Sequence, residues 1–190
     1  MSPRTRKQPS DAMLSYNVAG LLRAAPGTTR RYPIHADDLE IAEDVSLAAP
    51  VAGEVRLSRT GRSILAQAVV HTAFEEHCSR CLSPIAASVE VTVFEEALPS
   101  IDIDSGQPVD RSAEPDALRL DDHHELDLTE PIREAVSLAE PIAPLCRPDC
   151  AGLCETCGAD LDADPTHAHS DASIDPRLAV LAGWDATTTD

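Results

Sequence analysis

Aromatic side chains are scarce: two Phe, two Tyr and one Trp in 190 residues. A core without them must be assembled from Val, Leu, Ile and Ala, and the 43% hydrophobic content is enough for one. The same scarcity argues against reading single-stranded bases on an aromatic platform, which needs several exposed rings. Phe74 and Phe94, moreover, lie in segments that read as core. Long apolar runs are missing too. Nothing approaches the roughly 20 consecutive apolar residues of a membrane span. The opening MSPRTRKQPSDAM is basic but lacks the apolar stretch of a secretory signal, so a reducing cytoplasm is expected. Also absent are G-x-S-x-G, a P-loop, a dinucleotide fingerprint and H-E-x-x-H, and no enzyme is expected.

Positive charge is the next shortage. Fifteen Lys and Arg stand against 33 Asp and Glu, a net −18. Residues 1–62 hold nine basic and seven acidic side chains, and residues 63–190 hold six and 26, so the later part carries −20. Such a surface repels a phosphate backbone, whose binding depends on cationic side chains displacing counterions. Solvation alone accounts for the acidity. Any direct RNA contact belongs to the first third, at Arg4, Arg6, Lys7, Arg23, Arg30, Arg31, Arg56, Arg59 and Arg62.

Residues 1–12 read as a disordered tail. Val18, Leu21 and Leu22 predict a short helix within Met13 to Ala25, closed by Pro26-Gly27, and Thr29 to His35 reads as a strand. Val51, Gly53, Val55 and Leu57 then alternate with Ala52, Glu54, Arg56 and Ser58. After a turn at Arg59-Thr60-Gly61, residues Ile64, Ala66, Ala68, Val70 and Phe74 line one face of a longer strand. Val89, Val91 and Val93 alternate with Glu90, Thr92 and Phe94. Period-two alternation over three successive segments predicts an antiparallel meander with one buried face. Residues 98–125 are Asp-, Pro- and Ser-rich and read as an acidic flexible loop. Order resumes at residue 126, with Thr129 as cap of a helix through Ile132, Ala135, Val136 and Leu138, and Pro131 in its first turn. Asp175 can cap a last helix from Pro176 to Trp184, and residues 185–190 read as a tail. The expected fold is α+β: a small antiparallel sheet with short flanking helices and a C-terminal Cys/His module, residues 13–97 and 126–184 forming one domain.

Six cysteines fall in two groups, Cys78-Ser79-Arg80-Cys81 and then Cys146, Cys150, Cys154 and Cys157, with His167 and His169 close behind. Two CxxC pairs with further thiols and imidazoles are what a tetrahedral zinc ion requires, since each CxxC turn offers two sulfurs to one ion. Gly158 after the last Cys suits the tight turn. Eight soft ligands can fill two four-coordinate sites, or one site with spares. The preferred scheme places Cys154, Cys157, His167 and His169 in one site, and Cys78, Cys81, Cys146 and Cys150 in the other. Free thiols without a role are the alternative to zinc, and disulfides are disfavoured by a reducing compartment. A redox CxxC would sit in a βαβ pattern, which neither pair does.

Other polar residues have ordinary readings. His123-His124 with Asp121 and Asp122 could hold a metal but reads first as a solvated loop, and His35, His71 and His77 read as surface or core-edge residues. Glu75-Glu76 and Glu95-Glu96 read as solvated charges that block edge-to-edge association. Arg80 reads as solvent-exposed, or as a donor to a carboxylate or phosphate; Asp175-Pro176-Arg177 reads as a helix cap, with a salt bridge or a partner contact as the alternative for Arg177.

An ordered series of landmarks resembles the YceD family, which is linked to accumulation of 23S ribosomal RNA. It comprises Val18-Ala19-Gly20-Leu21-Leu22 with Pro26-Gly27, Cys78-Ser79-Arg80-Cys81-Leu82 with Pro84, Leu126-Asp127-Leu128-Thr129-Glu130, and Arg133-Glu134. Cys150-Ala151-Gly152-Leu153-Cys154-Glu155-Thr156-Cys157-Gly158 and Asp175-Pro176-Arg177-Leu178 complete it. The resemblance is to a cysteine-rich branch whose members often carry Cys-x-Cys where this chain has His167-Ala168-His169. Other members lack most of the cysteines, which implies that metal is not essential to the family's shared role. The resemblance implies a non-enzymatic factor in 23S ribosomal RNA accumulation and large-subunit biogenesis, with a large-subunit precursor or a basic ribosomal protein as partner, or 23S ribosomal RNA itself. A zinc-stabilised adaptor for a basic protein is the second reading, and an RNA-processing or thiol-redox enzyme the third.

Overall fold

The computed structural model describes residues 14–110, 112, 114–169, 177, 178 and 181. The expected N-terminal tail, the Asp175-capped helix and the closing tail lie wholly or mostly outside these residues. Five strands form the main sheet: β2 (Thr29–Ala36), β3 (Leu47–Thr60), β4 (Ser63–His77), β5 (Pro84–Leu98) and β6 (Leu118–Arg119), in that spatial order. The first four are antiparallel neighbours and β6 runs parallel to β5. A separate ribbon pairs β1 (Ser15–Asn17) with β7 (Glu125–Asp127), and two helices complete the fold, α1 (Ala19–Leu22) and α2 (Thr129–Leu138).

The alternating segments do form the meander. Val55, Leu57, Ile64, Ala66, Ala68, Val70, Phe74 and Val93 are all buried on one face of the sheet. The ribbon and helices cover that face with Leu14, Val18, Leu21, Leu126, Leu128, Ile132 and Val136 in a single core. Leu128, Ile132 and Val136 recur every four residues, which puts them on one stripe of α2. Leu138 falls off the stripe and is exposed. Prolines sit where no ladder bond is lost: Pro33 on the edge strand β2, and Pro50 in the irregular stretch of β3 between Ala49 and Ala52.

Several local expectations are corrected. The helix expected within 13–25 is only four residues long, because residues 15–17 pair with β7 instead. The β3–β4 turn falls at Gly61-Arg62, one residue late, with Gly61 at φ +63° as a type II′ turn requires of its first central residue. Thr129 does not cap α2: Leu128 occupies the cap position and the Asp127 Oδ1 accepts the Thr129 backbone N–H at 2.9 Å. Residues 98–125 are not one unstructured loop. They contain β6, an Ile101–Pro108 bridge and a buried Ser100 whose hydroxyl donates to the Leu120 carbonyl at 2.6 Å. Leu120, itself buried, anchors the segment despite the acidic residues around it.

Candidate metal centres

Both CxxC segments fold into the same turn, for the same backbone reason. In the first, the Cys78 N–H donates to the Ser83 carbonyl and the Leu82 N–H to the Cys78 carbonyl, both at 2.9 Å. In the second, Cys154 donates to Ala159 and Gly158 to Cys154, both at 2.8 Å. The residue after the second cysteine takes positive φ in each, +61° at Leu82 and +73° at Gly158. Glycine meets that demand without cost; leucine does so because the β4–β5 hairpin, whose tip this is, holds it there.

This turn aims backbone N–H groups at the leading sulfur. Those of Cys81 and Arg80, with the Cys146 N–H from the later segment, bring the Cys78 thiol down to about 6, and those of Cys157 and Thr156 bring Cys154 down to about 6. A thiolate is the form that binds metal. Bonds from Ser83 lower Cys81 as well. Burial acts oppositely on the other two thiols, raising Cys146 and pushing Cys150 up to about 12. Four such thiols cannot all ionise side by side without a cation between them.

The first knuckle meets Cys146 and Cys150 from a segment far along the chain. Ser79 N–H donates to the Pro144 carbonyl at 2.8 Å, Leu153 N–H to the Arg80 carbonyl at 3.1 Å, and the Arg80 guanidinium to the Cys150 carbonyl at 2.8 Å. Arg80, exposed as expected, thus fastens the two segments together through a carbonyl and not a carboxylate. Gly152, at φ +81°, lets the backbones approach: a Cβ there would lie 3.0 Å from both the Cβ and the carbonyl oxygen of Arg80. Asp162 accepts the Ala151 N–H at 3.2 Å and pairs with Arg147, and the Ala151 bond, followed by Arg147, holds its carboxyl below the usual range.

The eight residues come together as two groups of four. Within each, the ligand atoms of Cys78, Cys81, Cys146 and Cys150, or of Cys154, Cys157, His167 and His169, all lie within 4.8 Å of one another. Cys78 and Cys150 sulfurs are 3.8 Å apart and those of Cys81 and Cys146 3.7 Å. These gaps are far beyond a disulfide bond of about 2.05 Å. They match the edge of about 3.8 Å that a tetrahedron with Zn–S bonds of about 2.3 Å requires. In the second group, Cys157 Sγ lies 3.2 Å from His167 Nε2 and 3.3 Å from His169 Nε2, with the two nitrogens 3.1 Å apart. Shorter Zn–N bonds shrink those edges to about 3.3–3.6 Å, so the imidazoles fit the same arrangement. Both groups could hold a metal ion.

The two differ in setting. Cys78 and Cys150 are buried, whereas the second group is half-buried to exposed. The sulfur pairs of the first group bridge residues 72 and 65 apart in sequence, and the sulfur–nitrogen pairs of the second only 10 and 12 apart. Among the described residues His123 and His124 join no metal-capable group. Phe94, expected in the core, is 62% exposed. Its parity with Glu90 and Thr92 signalled as much, since residues two apart share a face.

No helix among the described residues is long and apolar enough to cross a membrane. No solved structure matches the chain. Similar proteins occur in mycobacteria. One from Mycobacterium tuberculosis is 36% identical over 129 residues, 67% of this chain and 58% of the relative. One from Mycobacterium leprae is 33% identical over 138 residues, 72% of this chain and 60% of the relative. The chain thus matches only about three fifths of these relatives' length, and their names assign them no activity. The profile of one family, described as large ribosomal RNA subunit accumulation protein YceD, matches residues 66–183, a span that takes in most of β4, all of β5 and α2, and all eight candidate ligands. With well over half its length so matched, the chain belongs to the YceD family.

Proposed function

We propose that this protein is a non-enzymatic, cytoplasmic factor that promotes accumulation of 23S ribosomal RNA during large-subunit production, its C-terminal module held by two structural zinc ions. The observation that carries the proposal is the match of residues 66–183 to a family described by large ribosomal RNA subunit accumulation. Zinc suits the donor sets, four thiols in one and two thiols with two imidazoles in the other. Four protein ligands apiece leave no open coordination position for chemistry, which favours a structural role. The net charge of −20 over residues 63–190 suits a basic ribosomal protein as a partner within the large-subunit precursor.

The decisive experiment is the ratio of 23S to 16S ribosomal RNA in cells depleted of the protein, at matched growth rate. A selective fall in 23S is expected. An unaltered ratio would favour the second reading, an adaptor for a basic protein without a ribosomal role, which the same acidic charge supports.

The zinc assignment is tested by metal analysis of protein purified without a histidine tag, where two equivalents per chain are expected. The double variant His167→Ala/His169→Ala should retain one equivalent and melt close to the unaltered protein, because its site closes only short loops at the surface. A zinc content near zero in the unaltered protein would refute both sites.

A further inference from the structure

At the tip of the β4–β5 hairpin two grooves meet along Glu76 and His77. The first is lined by Ser79 from the first knuckle and by Leu138, Glu140 and Ile142 from the end of α2 onward. The second continues past Glu75 to Asp44 and Ile85. The two sides of the first groove come from distant parts of the chain, tied together where the Ser79 N–H donates to the Pro144 carbonyl at 2.8 Å. Pro141 and Pro144 fix φ beside Ile142, so this stretch has little backbone freedom to lose when something binds.

Two features of this trench call for a ligand and define its chemistry. Leu138 is 88% exposed and Ile142 is as exposed as in an extended chain, so two large apolar side chains stand uncovered among the described residues. Apolar surface rimmed by polar groups marks an interaction site. The second feature is the sign of the rim. Asp44, Glu75, Glu76 and Glu140 line the two grooves with His77, and no Lys or Arg among the described residues does. None of these four carboxylates joins an ion pair among the described residues.

We infer that this trench docks a basic segment of a partner protein, whose apolar side chains sit on Leu138 and Ile142 and whose Lys or Arg side chains meet the four carboxylates. A basic partner is what the ribosomal reading above calls for, and the docking surface rests on that reading. An apolar centre within a charged rim is the anatomy of a protein interface, and opposite charge on the rim steers the encounter. Other occupants fit less well. RNA would bring phosphates to carboxylates, with no cation lining the grooves to hold them. A second copy would oppose the same carboxylates to a chain of net −18. Residues 170–190 hold four Asp and one Arg, so the chain's own C-terminal segment meets the same repulsion. Residues 1–12 are basic through Arg4, Arg6 and Lys7, but their one large apolar side chain is Met1.

The test is fluorescence anisotropy of a short labelled peptide carrying Leu among Lys, titrated with the full chain at low and at physiological salt. Beside it run the same peptide with Ser in place of Leu, and another with Glu in place of Lys. Only the first should bind well, and added salt should weaken it. Leu138→Ser/Ile142→Ser should weaken binding on the order of tenfold, since a few central anchors carry most of an interface's energy. Glu76→Gln/Glu140→Gln should weaken it less and flatten its salt dependence, as loss of rim charge does. Unchanged melting curves would show that these variants fold.

Full affinity in Leu138→Ser/Ile142→Ser, or equal binding of the peptide without Leu, would reduce the attraction to bulk charge and overturn the inference. So would a labelled single-stranded oligoribonucleotide bound through the same residues, or a dimer of this chain that their substitution dissolves. Tighter peptide binding by Arg4→Ser/Arg6→Ser/Lys7→Ser would give the groove to the chain's own residues 1–12, and overturn it too. Failure here with a fall in the 23S ratio on depletion would sink this surface alone. Peptide binding lost in Leu138→Ser/Ile142→Ser, with an unaltered 23S ratio on depletion, would sink the ribosomal reading and leave the surface standing.

Discussion

Replacing Cys78 and Cys81 with serine should remove one zinc equivalent, free residues 146–169 from the β4–β5 tip, and lower stability by several kcal/mol. The size follows from what the four-thiol group joins. Metal held by a site that the unfolded chain lacks contributes its binding free energy to folding, about 10–16 kcal/mol for isolated zinc-finger peptides. Only part of that is expected here, because the sheet core around Val55, Phe74 and Ile132 is buried independently of the thiols. Closing the 72- and 65-residue separations, as against the 10- and 12-residue ones of the His-containing group, makes the loop-entropy term about 2 kcal/mol larger. The Cys78→Ser/Cys81→Ser variant should therefore melt well below the His167→Ala/His169→Ala variant. Limited proteolysis should cut it between residues 140 and 170 while the far-ultraviolet β-sheet signal persists. Equal melting temperatures for the two variants would show that the first group does not clamp the module. A chelator added to the unaltered protein should reproduce the cysteine variant.

Gly53→Ala is the second large effect, expected to lower the melting temperature by about 10 °C. A Cβ at this position would lie 2.0 Å from the Val69 carbonyl oxygen and 2.9 Å from the Val70 Cα. All the nearest atoms are backbone, so no flexible side chain can yield, and β3 and β4 must separate beside the irregular Ala49–Ala52 stretch. Overpacking ordinarily costs about 1–3 kcal/mol, and at the upper end a domain of this size loses about 10 °C. Gly61→Ala is the control: its φ is +63° but its Cβ would meet nothing within 4 Å, so it carries dihedral cost alone, about 1–2 kcal/mol. A Gly53 variant no less stable than the Gly61 variant would mean that the strands tolerate the intrusion.

Gly53 also shows where reading the sequence stops. In the alternation Val51, Gly53, Val55, Leu57 it occupies an inward position and looks like a weak core residue. The structure shows another backbone passing through the space its side chain would fill, a fact about β4 that no residue near Gly53 encodes. Phe94 is the opposite case. Its outward parity was visible, but the hydrophobicity of the ring suggested core, and the position follows parity because the ribbon and helices cover only one face of the sheet. The 98–125 segment misled through composition: Asp, Pro and Ser dominate it, yet Ser100 and Leu120 are buried among them. Helix α2 was legible from Ile132, Ala135 and Val136, while its cap was not, because Asp127 and Thr129 both carry an oxygen that can cap and only the turn geometry selects between them.

By itself the sequence determined what short-range physics controls: the meander, from period-two alternation; the metal-capable residues, from two CxxC spacings and a pair of histidines; and the −20 charge of residues 63–190. The knuckle turns belong here too, since their hydrogen bonds span only four and five residues. Tertiary structure decided the rest. It brought Cys146 and Cys150 to a hairpin tip across more than sixty residues, paired β1 with β7, and laid β6 parallel to β5. It also brought Glu76 and Ser79 to Leu138 and Ile142 in one groove. The reason is common to all of these. Spacing along a chain sets which atoms can meet within a turn or a strand, whereas atoms far apart in sequence meet only where burial of a shared core fixes the register of everything attached to it.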